Sequence, residues 1–141
     1  MPPTHGQTGG MQLLGVHHVA IICSDYQRSK RFYVDVLGCT VIAEHLRVER
    51  QSYKLDLAVP GGTQIELFSF PDPPARPTHP EACGLRHLCL SVDDVDAWTA
   101  HLEHHGVAVE DVRTDEYTGQ RFVFFPDPDG LPIELYETTT R

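Results

Sequence analysis

The sequence predicts an α+β domain built from two tandem βαβββ modules whose strands form a curved, barrel-like mixed sheet. The chain has 141 residues, the usual length of one domain. Its composition, 40% hydrophobic and 22% charged, is that of a globular protein. The decisive observation is that its two halves repeat one order of apolar runs, acidic caps and glycine turns.

The repeat begins with one apolar run in each half, at residues 16–22 and 85–91. His18 and His87 hold matching positions in these runs, at an offset of 87 − 18 = 69 residues. Each run is long enough for one strand. We therefore expect each run to open a module.

A helix is expected after each of these strands. Ser24-Asp25 and Asp93-Asp94 are typical N-terminal caps, and the helical patterns end at Gly38 and Gly106. Each helix has one apolar face, formed by Phe32, Tyr33, Val36 and Leu37 in the first and by Val95, Trp98 and Leu102 in the second.

Three more strands are expected in each module, separated by turn residues. They are predicted at residues 40–50, 53–59 and 64–69, and again at 107–115, 120–126 and 132–137. Turn signals at 60–63 and 127–130 precede the last strand of each module.

The predicted organisation is a single domain at 14–137 between a loose N-terminal tail at 1–13 and a short tail at 138–141. Module one spans 14–70, a proline-rich linker spans 71–84, and module two spans 85–137. The alternative is an ordinary α+β domain whose halves resemble each other by chance. So many features recur in the same order that the repeat is the better interpretation.

The net charge of the chain bears on its binding partners, and its first residues bear on its cellular location. A net charge of −9, with only 11 Lys and Arg residues, argues against nucleic acid. No apolar run is long enough to cross a membrane, and the first ten residues do not resemble a signal peptide, so we expect a soluble cytoplasmic protein. The four cysteines form no CxxC motif and are expected to be buried free thiols: Cys23, Cys39, Cys83 and Cys89.

Four residues recur in register between the modules. Glu66 and Glu134 lie in similar runs, at 64–68 and 132–136. The separations from His to Glu agree, at 66 − 18 = 48 and 134 − 87 = 47. Strand alternation places all four on the face opposite the apolar residues expected under the helices, which are Val19, Ile21, Ile65, Leu67, Leu88, Leu90, Ile133 and Leu135.

Taken alone, each of these side chains is explained by a hydrogen-bonded core histidine or a solvated glutamate. As a quartet they predict one divalent metal ion, since imidazole and carboxylate together suit such ions. His17 is expected to point away from His18 by alternation. Five residues flanking the cleft are candidates for binding a substrate carboxylate, with solvated surface as the alternative for each: Arg47, Arg50, Lys54, Tyr117 and Arg121.

Two motifs resemble the vicinal oxygen chelate superfamily, and within it the glyoxalase I branch. Residues 29–33 with Leu37-Gly38 are similar to that branch's first helix, and residues 127–135 to its closing hairpin. The resemblance implies paired modules around one metal, with His18, Glu66, His87 and Glu134 as ligands. Nickel, cobalt or zinc is the expected ion, with manganese or iron as alternatives.

The resemblance also implies an activity. Glyoxalase I moves a proton between adjacent carbons of a 2-oxoaldehyde–thiol adduct, through an enediolate stabilised by the metal. Glu134 is then the first candidate for the base and Glu66 the second. Residues 67–70 and 81–86 differ from the branch, which leaves glutathione or another thiol open. The alternatives are an epimerase or dioxygenase of the same superfamily, or a drug-binding resistance protein without catalysis.

A homodimer is the expected assembly. Relatives in the superfamily often complete the cleft by exchanging modules between subunits. The proline-rich linker permits pairing of the modules within one chain or between two chains.

Overall fold

The computed structural model describes residues 9–138 and contains two four-stranded mixed sheets, one for each module. Module one consists of β1 (His18–Cys23), α1 (Tyr26–Arg31), a π-helical turn (Phe32–Val36), β2 (Thr40–Arg47), a short 3-10 helix (Val48–Arg50), β3 (Ser52–Ala58) and β4 (Gln64–Ser69). Module two consists of β5 (Leu88–Val92), α2 (Val95–His104), β6 (Arg113–Thr114), β7 (Arg121–Pro126) and β8 (Pro132–Glu137).

The two sheets have the same topology, which confirms the predicted repeat. The strand orders are β1-β4-β3-β2 and β5-β8-β7-β6. The first strand of each module pairs in parallel with the last, and the remaining pairs are antiparallel. Each glutamate-bearing strand therefore lies in the interior of its sheet, between two neighbours.

Both α-helices begin where the sequence predicts, at an aspartate cap. The Asp25 carboxylate accepts a hydrogen bond of 3.1 Å from the backbone N–H of Arg28, and Asp94 accepts one of 3.0 Å from that of Ala97. Gly38 and Gly106 follow the helical segments at positive φ of 81° and 76°. A residue with a Cβ would be strained there, so glycine sets the exit of the chain from each helix.

The helix-covered faces of the two sheets share one hydrophobic core. Ile65 and Leu67 of β4 and Ile133 and Leu135 of β8 are all buried, as strand alternation predicts. The ring centroids of Phe32 and Phe125, from different modules, lie 6.2 Å apart in this core. The modules therefore pack together through their helix sides.

Polar contacts also join the modules. The His101 Nε2 atom on α2 lies 2.8 Å from the carbonyl oxygen of Val36. The turn at 127–130 reaches module one through Asp129, which accepts hydrogen bonds from the backbone N–H of Ser24 at 3.0 Å and from the Ser24 hydroxyl.

Some strand boundaries differ from the prediction. The predicted strand at 40–50 ends at Arg47, because the chain turns through a 3-10 helix and a left-handed Gln51 at φ 47°. Of the predicted strand at 107–115, only Arg113–Thr114 forms a ladder, since the stretch before it shares a single backbone bond, from Glu110 to Phe124, with β7. Strand β5 begins at Leu88, so the apolar run at 85–87 is not strand.

The cysteine prediction is confirmed in part. All four cysteines are free, but only Cys23 and Cys39 are buried, while Cys83 and Cys89 are exposed. Cys89 lies on the open face of β5, where no helix covers it. Most of the predicted tails, at 1–8 and 139–141, fall outside the described residues. No helix between residues 9 and 138 is long and apolar enough to span a membrane.

Candidate metal centre

In module one, the parallel pairing of β1 with β4 brings an imidazole to a carboxylate. His18 is the first residue of β1, and Glu66 lies in the middle of β4 opposite Ala20. The His18 Nδ1 atom is 3.3 Å from Glu66 Oε2. The Glu66 side chain is only 14% exposed, against 41% for His18, so the carboxylate forms the covered part of the pair.

Module two builds the same pair. His87 immediately precedes β5, and Glu134 lies in the middle of β8 between Cys89 and Phe124. The His87 Nε2 atom is 3.0 Å from Glu134 Oε1, and the Glu134 side chain is 12% exposed. Each module thus offers one imidazole and one nearly covered carboxylate, a donor set that suits a divalent metal ion.

The two pairs do not converge within one chain. Among residues 9–138, no group of three or more His, Cys, Asp or Glu side chains is arranged to hold a metal ion. The four predicted ligands, His18, Glu66, His87 and Glu134, are therefore not gathered around one point in the described part of a single chain, and their shared metal site stays a prediction. The physical reason is that the modules pack through their helix sides, whereas these side chains lie on the opposite faces of their sheets.

Glu66 has a cation beside it. The Lys54 ammonium lies 3.8 Å from Glu66 Oε1 and 2.7 Å from Asp56 Oδ1. The hydrogen bond to Asp56 raises the pKa of Lys54, so this ammonium stays charged. Lys54, Asp56 and Glu66 form a charged cluster on the open face of module one.

Glu134 has a different environment. No lysine or arginine within residues 9–138 forms an ion pair with it, and the Phe124 ring lies on the neighbouring strand. Cys89 is exposed as a residue, but the protein atoms around its sulfur displace part of the water there, and this desolvation, followed by the charge of Glu134, raises the pKa of the thiol to about 12. Glu134 therefore has a neutral thiol and an aromatic ring beside it, and its carboxylate is not tethered by an ammonium.

His17 is not directed away from His18, contrary to the prediction from alternation. The two Nδ1 atoms lie 2.9 Å apart, and the ring centroids are 5.2 Å apart in an edge-on arrangement. Alternation does not apply because β1 begins only at His18. His17 is thus a neighbour of the candidate site and is placed to orient the His18 ring.

The five predicted substrate residues do not lie together in the structure. Arg47 and Lys54 lie on the open face of module one, with Arg47 over the Phe68 ring at 5.0 Å. Arg50 is exposed in the 3-10 helix, and Tyr117 is 89% exposed in a turn. Arg121 bonds to Asp96 of α2 at 2.7 and 2.8 Å, on the helix side of its sheet.

The sequence interpretation missed a group of aromatic side chains on the open face of module two. Phe122 and Tyr136 are paired across β7 and β8 and stack at 6.3 Å, and Arg113 lies 5.2 Å above Phe122. The same strand alternation that selected Glu134 would have found Phe122, Phe124 and Tyr136, because they share its side of the sheet.

Comparison with known proteins identifies the family. The model of the glyoxalase/bleomycin resistance protein/dioxygenase superfamily matches residues 15–135. The chain belongs to this superfamily. The match covers both modules.

Similar members of the superfamily share this domain over nearly their whole length. The uncharacterized protein YaeR of Escherichia coli is 62% identical over 122 residues, which cover 86% of this chain and 95% of YaeR. The crystal structure of a glyoxalase family protein from Enterococcus faecalis matches with a TM-score of 0.83 and 46% identity, covering 90% of this chain and all of that one.

More distant relatives carry different activities. A 2-epi-5-epi-valiolone epimerase from an Actinomyces species is 29% identical over 86% of this chain and 78% of its own. The metallothiol transferase FosB of Staphylococcus saprophyticus is 25% identical over 88% of this chain and 77% of its own. Membership of the superfamily alone therefore does not select one reaction.

Proposed function

We propose that this protein is a metal-dependent, glyoxalase I-like lyase that moves a proton between adjacent carbons of a 2-oxoaldehyde–thiol adduct. The observation that carries the proposal is the presence of two equivalent His–Glu pairs, His18–Glu66 at 3.3 Å and His87–Glu134 at 3.0 Å. The thiol is glutathione or another small thiol.

The four ligands in this proposal are His18, Glu66, His87 and Glu134. When bound, a nickel, cobalt or zinc ion, or alternatively manganese or iron, would polarise the two neighbouring oxygens of the substrate and so acidify the C–H bond of the carbon next to the carbonyl group. Glu134 then removes that proton from one carbon and returns it to the next, because its carboxylate is free of the ammonium that holds Glu66.

One such site requires modules from two chains in a homodimer. Within residues 9–138, the outer edges of β1 and β5 pair with no other strand. Exposed apolar side chains lie in the stretches of chain that lead into these two strands, among them Leu13 at 97%, Leu14 at 95% and Leu85 at 74%. A free edge flanked by apolar side chains is a surface that a second copy of the chain is suited to cover.

A cavity also lies between the same two strands of one chain. Its volume is about 630 Å³, and its walls include Ile22 of β1, Leu88 of β5 and Pro73 of the linker. In the proposed homodimer, β1 of one chain pairs with β5 of another, which would set His18–Glu66 beside the partner's pair from module two. The relevant unit of function is thus a homodimer with exchanged modules.

An epimerase is the second candidate function. The 29% identical epimerase favours it, and the chemistry requires the same first step, removal of a proton from a carbon next to a carbonyl group. An epimerase returns the proton to the same carbon from the other face. Glu134 serves in either reaction, so the two candidates differ in the substrate and in the second proton position.

Metal content and activity test the proposal together. The purified protein is analysed for bound metal, then reconstituted with nickel, cobalt, zinc or manganese and assayed with methylglyoxal and glutathione or a smaller thiol. We expect one ion per site and isomerase activity. A protein that is isolated without metal and binds an aromatic drug would instead be a resistance protein, and activity that requires iron and oxygen would indicate a dioxygenase.

Ligand variants sharpen this test. We expect His18→Ala, Glu66→Ala, His87→Ala and Glu134→Ala each to lose most of the bound metal or the activity. His104→Ala is the matched control, since His104 lies exposed at the end of α2. Metal content in the His18 and His87 variants equal to that of the wild type would contradict the assignment.

A further inference from the structure

Arg47 occupies an unusual position on the open face of module one. Its guanidinium carbon lies 5.0 Å from the centre of the Phe68 ring and 5.7 Å from that of Phe70. One terminal nitrogen, Nη2, donates a hydrogen bond of 2.8 Å to the Ser52 hydroxyl. Two rings and a buried serine thus fix the guanidinium in one place.

The charge of Arg47 is not compensated. Within the described part of the chain no carboxylate forms an ion pair with it, and its buried Nε atom has no hydrogen-bond partner. A guanidinium has five N–H donors, and among residues 9–138 only Ser52 accepts from this one. A half-buried cation with unused donors carries a desolvation cost that an anion would offset.

Module two offers a direct comparison. Arg113 lies over Phe122 and Phe124 at 5.2 and 5.4 Å, the same stacked arrangement. Arg113, however, also contacts the Glu110 carboxylate at 3.5 Å. Stacking of an arginine on two phenylalanines is therefore common to both modules, but of these two arginines Arg113 has a carboxylate partner among the described residues and Arg47 has none.

Lys54 adds a second positive charge nearby. The positive charges of Arg47 and Lys54 repel each other, and the carboxylate that pairs directly with Lys54 is Asp56 at 2.7 Å. If Glu66 serves as a metal ligand, Asp56 is the one carboxylate among the described residues that still pairs with Lys54, so the charge of Arg47 remains in excess. On a chain with a net charge of −9, such a local excess attracts small anions to this part of the surface.

We propose that Arg47 binds a carboxylate group of the substrate, at the outer end of the face that carries Glu66. The inference rests on the proposed function, in which that face is one wall of the catalytic cleft. A carboxylate fits because its two oxygens match the planar fork of a guanidinium. Arg47 is thus a specificity-determining residue that selects substrates with a carboxylate away from the reacting carbons.

The test measures binding of glutarate to the full-length, metal-loaded protein by isothermal titration calorimetry. Glutaramide has the same carbon skeleton without charge, and inorganic phosphate is an anion of different shape. We expect Arg47→Met to weaken glutarate binding by at least about tenfold, the scale of a charge-assisted hydrogen bond. Arg47→Lys should fall between the two, because lysine keeps the charge and loses the fork.

Arg31→Met is the matched control, since Arg31 is an exposed arginine on α1. We expect this variant to bind glutarate within about twofold of the wild type, because the charge that it loses does not lie on the open face. Circular dichroism checks that each variant folds, and Arg47→Lys carries the test if Arg47→Met does not. Equal binding by wild type and the Arg47 variants, no binding by the wild type, or equal binding of glutaramide would overturn the inference.

The result of the glutarate-binding test can be distinguished from the result of the activity test of the proposed function. Tighter, Arg47-dependent binding of phosphate than of glutarate would replace the carboxylate with a phosphate group and overturn the inference as stated. Binding that is independent of Arg47, in a protein that holds metal and isomerises its substrate, overturns this inference alone. Arg47-dependent glutarate binding in a protein without proton-transfer activity overturns the proposed function alone.

Discussion

The Tyr33 hydroxyl of module one donates a hydrogen bond of 2.8 Å to the Asp127 carboxylate of module two, and both side chains are buried. The other oxygen of Asp127 accepts bonds of 2.9 Å from the backbone N–H groups of Asp129 and Leu131. Asp127 therefore shapes the turn before β8 and anchors it to module one. Because β8 carries Glu134, this contact helps to fix where one half of the candidate site lies.

Removing the Tyr33 hydroxyl should destabilise the protein. Tyr33→Phe leaves one oxygen of a buried carboxylate without its donor, which costs about 1–3 kcal/mol of unfolding free energy. Urea denaturation measures the loss. Tyr53→Phe is the control, since the Tyr53 hydroxyl makes no hydrogen bond within residues 9–138 and the ring keeps its stack on Tyr26. Equal stability of the two variants would show that the Tyr33–Asp127 bond contributes nothing.

Asp127 also predicts a pH dependence. Burial raises the pKa of this carboxyl above its ordinary value of 3.8, so its ionisation is harder in the folded than in the unfolded protein. A group with a raised folded pKa contributes stability that is present below its unfolded pKa and is lost as pH rises through the folded pKa. Asp127→Asn does not ionise and is free of this loss.

Thermal melting of wild type and Asp127→Asn from pH 3.5 to 7 checks the sign. We expect the melting temperature of the variant, relative to that of the wild type, to rise as pH increases from about 4, where the unfolded carboxyl ionises. The difference removes the contribution of every other titrating group. A relative melting temperature that falls with pH would mean that Asp127 is more acidic in the folded protein.

The sequence predicted the elements of each module better than their arrangement. Alternation in β4 and β8 placed Glu66 and Glu134 opposite the buried Ile65 and Ile133, because a period of two fixes the two faces of a strand. The relative position of the modules depends on contacts such as His101 to Val36, which are 65 residues apart in the chain. No local pattern encodes such a contact, so the separation of the two His–Glu pairs was not predicted.

The position of Arg47 was only half predictable. The sequence identified it as a candidate for carboxylate binding, together with Arg50, Lys54, Tyr117 and Arg121. It could not distinguish a stacked arginine from a paired or solvated one. Arg121 pairs with Asp96, 25 residues away, whereas Arg47 lies on Phe68 and Phe70 without a carboxylate partner in the described chain.

A mixing experiment tests the exchange of modules between chains. His18→Ala and His87→Ala each damage every site in their own homodimers. In a heterodimer with exchanged modules, one site combines both substitutions and the other has neither. We therefore expect the purified heterodimer to recover about half of the wild-type metal content and activity.

Pairing of modules within one chain gives the opposite result, because each site of the heterodimer then carries one substitution. No recovery in a verified heterodimer would reject the exchanged arrangement. A monomer by light scattering at micromolar concentration, still with one metal per chain, would reject it as well. Heterodimers are isolated with two different affinity tags, so that homodimers do not contribute to the measurement.

The last prediction separates the roles of the two glutamates. Glu134 has a thiol and a phenylalanine beside it, whereas Glu66 has the Lys54 ammonium at 3.8 Å. A base must reach the substrate carbon, and a carboxylate that no ammonium holds is the freer of the two to do so. Glu134→Gln keeps the size and one oxygen donor but removes the basic carboxylate. Turnover should therefore fall by about two orders of magnitude, the scale of a general base, while much of the metal remains.

Glu66→Gln should cost less, since it changes a ligand and leaves the base in place. Both variants are assayed after their metal content is equalised, and kcat is compared at saturating substrate. Near-normal turnover in Glu134→Gln, with a large loss in Glu66→Gln, would transfer the role of the base to Glu66.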